Sequence, residues 1–143
     1  MSASGSGGSL VLVDANVILD IRTQDPAWYE WSARALAKTA DHHQLAINPI
    51  IYAEVSIDAV RIEDLEDELP ANDYRRLPLP YEAGFLAGKA FLRYRRSGGE
   101  RRSPLPDFYI GAHAAVSELI LLTRDAARYR SYFPTVRLIS PEP

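Results

Sequence analysis

The chain has 143 residues, 47% of them hydrophobic and 24% charged, with a formal net charge of −3. That length and apolar share suit one packed domain, and the absence of cysteine removes disulfides and thiolate zinc sites. A pI near 5.6 excludes a general cationic coat for nucleic acid, so a polyanion must be held by local charge or through bound cations.

Residues 1–9 are almost wholly Gly, Ser and Ala, which reads as a flexible leader ahead of a single domain over 10–143. Leu10–Val13 is a continuous apolar run, the pattern of a strand covered on both faces. Asp14 ends it too early for a signal or spanning segment, which predicts a cytoplasmic protein without a membrane anchor. Trp28, Trp31, Ala35 and Leu36 recur at helical steps across 27–39. Residues 45–47 predict a second strand. Asn48 then suits an N-cap and Pro49 the first helical position, opening a helix that runs to about Val60. The acidic stretch 58–73 predicts a solvated helix or turn closed by Pro70, and 76–79 a short edge strand that tolerates Pro78.

Residues 81–96 form the longest helical pattern, stopped by Gly98 and Gly99. Pro104 and Pro106 frame the next helix, 107–116. A buried strand over 119–122, a short helix over 125–132 and a last strand over 136–139 complete the chain. Alternating strands and helices imply a three-layer α/β/α fold around a parallel sheet of four to five strands. In such sheets ligands gather beyond the carboxyl ends of the strands.

Acids cluster at those positions. Asp14 directly follows the first strand, Asp107 opens a helix, Asp125 follows the strand 119–122, and Glu54 lies in the helix after the second strand. Taken singly, Asp125 reads as an N-cap and Glu54 as a solvated side chain. Asp14 is harder to dismiss, because a carboxylate at the end of an apolar central strand is costly to desolvate without a partner. Together the acids repel one another and call for a cation. Oxygen-only ligands suit Mg²⁺ or Mn²⁺, which activate water and stabilise a leaving oxygen of a phosphodiester.

Four ordered segments carry a resemblance: Val13-Asp14-Ala15-Asn16-Val17-Ile18, Tyr52-Ala53-Glu54-Val55, Pro106-Asp107-Phe108-Tyr109-Ile110-Gly111-Ala112 and Leu122-Thr123-Arg124-Asp125. Across nearly the whole chain from Leu10 the pattern resembles the PIN-domain family, most closely its VapC-type toxins. The resemblance implies that Asp14, Glu54, Asp107 and Asp125 are catalytic acids and metal ligands, with Asn16 and Thr123 as supporting polar residues. It implies cleavage of RNA with Mg²⁺ or Mn²⁺ through metal-activated water, as the toxin of a type II VapBC pair. It also implies a homodimer and inhibition by a VapB-type antitoxin. The chain departs from the family at Ala15, where a hydroxyl residue is frequent. A second departure is Ala126-Ala127-Arg128, where many members carry a further acid.

Arg93, Arg95, Arg96, Arg101 and Arg102 form a cationic segment leading into Asp107. It reads either as a helix end complementing the helix dipole or as an RNA-phosphate contact. Arg124 is a candidate for a substrate phosphate or an antitoxin group, whereas Arg128 reads rather as an ion-pair partner of a nearby acid. His42, His43 and His113 lack metal-ligand spacing, and the chain has no Gly-rich phosphate loop. The rival to a ribonuclease is a non-catalytic PIN-like module that binds RNA or protein.

Overall fold

A computed structural model describes residues 9–98 and 105–141. In chain order the elements are β1 (Leu10–Val13), α1 (Ala15–Thr23), α2 (Tyr29–His42), β2 (Gln44–Ile47), α3 (Pro49–Ser56), α4 (Ile62–Glu68), β3 (Tyr74–Arg76), α5 (Tyr81–Arg96), α6 (Leu105–Val116), β4 (Ile120–Leu122), α7 (Ala126–Tyr132) and β5 (Leu138–Ile139). The strands form one parallel sheet in the order β3-β2-β1-β4-β5. This is the expected α/β architecture with five strands. The chain crosses from β1 outward to β3, then returns past β1 to β4 and β5. Right-handed crossovers in opposite directions place helices on both faces.

The apolar strands fill the centre. Val11, Leu12 and Val13 are fully buried, as are Leu121 and Leu122, which pair with β1 in register Leu12 to Leu121 and Val13 to Leu122. On one side of the sheet Phe91, Tyr94, Phe108, Tyr132 and Phe133 interlock, with Phe108 5.5 Å from Tyr94 and 5.2 Å from Tyr132 between ring centroids. Tyr94 is therefore a packing residue rather than a free stacking platform. Gly111 of α6 admits Phe133 so closely that a Cβ there would sit 2.4 Å from the ring.

Beyond shifts of a few residues at the ends of α2, α6 and β5, the structure departs from the sequence pattern in three places. Helix α1 starts directly after Asp14, where no helix is expected. Its N-cap, Asp14, makes no side-chain bond to the helix N–H groups, and its C-cap is Gln24 in a left-handed conformation (φ 53°) rather than Gly or Asn. The usual punctuation is thus missing at the C-terminal end, while Asp14 turns its side chain to the site instead of capping the helix. Strand β3 lies at Tyr74–Arg76 rather than 76–79. Buried Tyr74 anchors it and Pro78 lacks the N–H a longer ladder needs. Helix α3 stops at Ser56 instead of about Val60, where the Ser56 hydroxyl turns back to the Tyr52 carbonyl at 2.6 Å.

Candidate active site

Three elements converge at the carboxyl end of β1. Strand β1 delivers Asp14, whose backbone N–H bonds the Leu122 carbonyl at 2.9 Å and so fixes it beside the end of β4. Helix α3 delivers Glu54 and helix α6 delivers Asp107. Asn48 locks these two helices together. Its Oδ1 caps α3 by accepting the Ile51 N–H at 2.9 Å, while its Nδ2 donates to Nδ1 of buried His113 on α6 at 3.0 Å. Burial lowers the pKa of His113, which favours the neutral ring that this bond requires.

Carboxylate oxygens of Asp14, Glu54 and Asp107 all lie within 4.8 Å of one another. Their surroundings differ. Asp14 is 3% exposed, and its Oδ2 accepts from Thr123 Oγ1 at 2.8 Å, Tyr129 OH at 2.9 Å and Asn16 Nδ2 at 3.3 Å. Burial, aided by the charge of Asp107, still pushes its pKa up to about 6 against the pull of the Thr123 and Tyr129 bonds. Glu54 Oε1 is buried and has no hydrogen-bond partner. Burial first, then the charges of Asp14 and Asp107, lift Glu54 to about 7. Asp107 is raised chiefly by burial, while Arg128, bonded to its Oδ2 at 2.6 Å, opposes the rise.

The supporting residues form a small web. Asn16 Nδ2 also reaches Thr123 Oγ1 at 3.2 Å, and the Arg124 N–H donates to Asn16 Oδ1 at 3.3 Å. The Asp125 N–H donates to Thr123 Oγ1 at 3.1 Å. Asn16 and Thr123 thus both touch Asp14, as their positions after β1 and β4 suggest.

Asp125 stands apart from the trio. It is exposed at the N-cap of α7, makes no side-chain cap bond, and acts on the site through its charge, which raises Asp107. Arg124 sends its Nε to buried Asp20 at 2.8 Å, and its guanidinium lies 5.4 Å from the centre of the Trp28 ring. Arg93 donates to the Tyr132 carbonyl at 3.3 Å and lies over that ring, whereas Arg95 and Arg96 project from the last turn of α5. Arg101, Arg102, Gly99, Pro104 and residues 1–8 of the leader lie outside the described residues.

Two side chains at the site carry no signal in the linear pattern. Tyr129 reaches Asp14 from α7, four residues beyond Asp125, the spacing that brings residues onto one helix face. Asp20, six residues after Asp14, accepts from both Arg124 and Ser32 Oγ, the latter at 2.8 Å. Neither can be placed without knowing where α1 and α7 pack.

The site has a net excess of buried negative charge and an orphaned carboxylate oxygen. One guanidinium faces it, and the remaining donors are neutral. Such a set fits a hard divalent cation bound through oxygen.

Comparison with known proteins agrees with the geometry. The PIN domain signature matches residues 11–133. No curated protein matches the chain in sequence. Among solved structures, a chain of VapBC2 from Rickettsia felis bound to a promoter DNA fragment has a TM-score of 0.69 at 16% identity, covering 93% of this chain and 99% of that one. A chain of VapBC-1 from nontypeable Haemophilus influenzae has a TM-score of 0.69 at 16% identity, covering 92% and 97%. A chain of FitAcB from Neisseria gonorrhoeae has a TM-score of 0.65 at 18% identity, covering 90% and 96%.

Proposed function

The chain belongs to the PIN-domain family, and from that premise we propose that it is an Mg²⁺- or Mn²⁺-dependent endoribonuclease, the toxin of a VapBC-type pair. The observation that carries the reading is the carboxylate trio Asp14, Glu54 and Asp107 with its unpartnered Glu54 oxygen. These three would hold the cation, with exposed Asp125 as a fourth acid at the rim. When bound, the cation would supply the Lewis acidity that activates water and steadies charge on a phosphodiester.

The protein's own residues prepare that chemistry. Thr123, Tyr129 and Asn16 converge on one oxygen of Asp14 and hold the carboxylate in one orientation. Arg128 balances the charge of Asp107. His113 is occupied by Asn48 and takes no part as a base.

The likeness to the VapBC structures named above supports a VapB-type antitoxin as partner. Exposed Val60, Tyr81 and Phe85 offer apolar surface for a homodimer or that partner. No described helix is long and apolar enough to cross a membrane.

The test is cleavage of total bacterial RNA with Mg²⁺, Mn²⁺ or EDTA, comparing wild type with Asp14→Ala. Discrete cation-dependent fragments should appear, and the variant should lose more than about 100-fold in rate, beyond what second-sphere changes usually cost. Full cleavage by folded, metal-stripped Asp14→Ala protein would overturn the reading. RNA binding without cleavage at any cation concentration would favour a PIN-like binding module instead.

A further inference from the structure

A second surface bears on how such a nuclease would hold its substrate. A groove of about 560 Å³ runs along α2 and reaches β5, with Trp31, Arg34, Lys38, His42 and Ile139 among its lining residues. Residues 31, 34, 38 and 42 share one face of α2 and extend over about 16 Å of helix. Glu30 and Asp41, the acids of this helix, border the stripe on the Arg34 side, Glu30 one turn before Arg34 and Asp41 three residues after Lys38, without an ion pair to either cation. Strand alternation adds exposed Arg137 on the sheet face that carries Ile139.

The cations of this groove are available. Arg22, Arg61, Arg76, Arg124 and Arg128 each pair with an acid. Among the described residues, Arg34 and Lys38 have no such partner, a state they share with Arg75, Lys89 and the arginines of α5, and what sets them apart is their place along one groove. A helix face that gathers unpaired cations on an acidic protein is matched to a polyanion.

The groove also connects with the acidic site. Arg124, whose backbone N–H bonds the Asn16 side chain, lies over Trp28, and Trp28 meets Trp31 edge-on at 6.3 Å. Buried Asp20, itself held by Ser32 of α2, fixes Arg124 at this junction. From Asp14 outward the order is therefore acid cluster, arginine, two indoles, arginine, lysine, histidine. Phosphates favour the cations, and Trp31, the indole that lines the groove, offers apolar surface to a base, while Arg124 lies over Trp28. That alternation suits single-stranded nucleic acid better than an acidic peptide, which has no bases to stack.

We infer that the α2 groove is a track for single-stranded RNA that carries the strand flanking the cleavage point away from the carboxylates. The inference takes its direction from the nuclease reading, but its binding test does not depend on cleavage. Fluorescence anisotropy with a labelled RNA of about 12 nucleotides, within usual single-strand site sizes, is measured in EDTA across a salt series. The proteins are wild type and the double variant Arg34→Gln/Lys38→Gln, both exposed positions, with thermal melting to confirm the fold.

The variant should bind about 10-fold more weakly, and the slope of log affinity against log salt should shrink by about 1.4, or 0.7 per cation removed. Equal slopes and affinities for the two folded proteins would overturn the track. Equal competition by polyglutamate would also overturn it, because the groove would then be a general polyanion surface. Should the wild type fail to cleave any RNA, the nuclease reading falls while the slope comparison still decides the groove.

Discussion

Asp14 and Asp20 are the same residue type, six positions apart, and each is 3% exposed. Their environments are opposites. Asp20 receives the Arg124 guanidinium and the Ser32 hydroxyl, so its charge is matched where it is buried. Asp14 receives only neutral donors and faces two further carboxylates, Glu54 and Asp107. Burial alone therefore does not mark a functional acid. What marks it is burial without a compensating charge, a state the fold tolerates at a cost and a cation can relieve.

The contrast is sharpest under one substitution made at both places. Asp14→Asn should stabilise the metal-free protein at neutral pH, because the interval between 3.8 and about 6 corresponds to roughly 3 kcal/mol of unfavourable burial. Asp20→Asn should destabilise it by roughly 1–3 kcal/mol, since Arg124 loses its charged acceptor. Thermal melting of both variants without divalent cation checks the sign. Destabilisation by both would break the comparison.

The same imbalance has a pH signature. Asp14 and Glu54 have folded pKa values raised to about 6 and about 7. The folded state thus binds protons more tightly than the unfolded chain. Stability of the metal-free protein should be greatest in mild acid and fall as pH rises from about 4 through 7, on the order of 3 kcal/mol for Asp14 alone. Denaturant midpoints across that range measure it, and saturating Mg²⁺ should flatten the fall.

Smaller effects should follow from loosening the donors around Asp14. Tyr129→Phe and Thr123→Val each remove a bond that lowers the pKa of Asp14. Each should weaken cation binding by about 10- to 100-fold at neutral pH, as proton and cation compete for the same oxygens. Unchanged affinity would make these residues packing groups only.

Much of this arrangement is legible in the chain, for physical reasons that differ by residue. Leu10–Val13 and the strand ending at Leu122 declare themselves because doubly covered strands need unbroken apolar runs. Asp14 follows from the rule that ligands collect at strand ends, and Asp107 from its place at the start of a helix. Glu54, inside a helix, is indicated only by the family pattern, because helical position alone does not say which way it faces. Helix α1 is hidden because Asp14, its N-cap, reads first as a site acid and Gln24 ends it without Gly or Asn, and with it goes the Asp20–Arg124 pair that depends on how α1 packs. Tyr129 is legible only after α7 is docked, since its partner is 115 residues away in sequence.

The most direct test of the central claim is a calorimetric titration with Mn²⁺ at a pH of about 6.5, between the two raised values, in buffers of different ionisation enthalpy. Wild type should bind the ion saturably and release protons as Asp14 and Glu54 ionise, and Asp14→Asn should lose both signals. Superimposable isotherms for the two proteins would contradict the account.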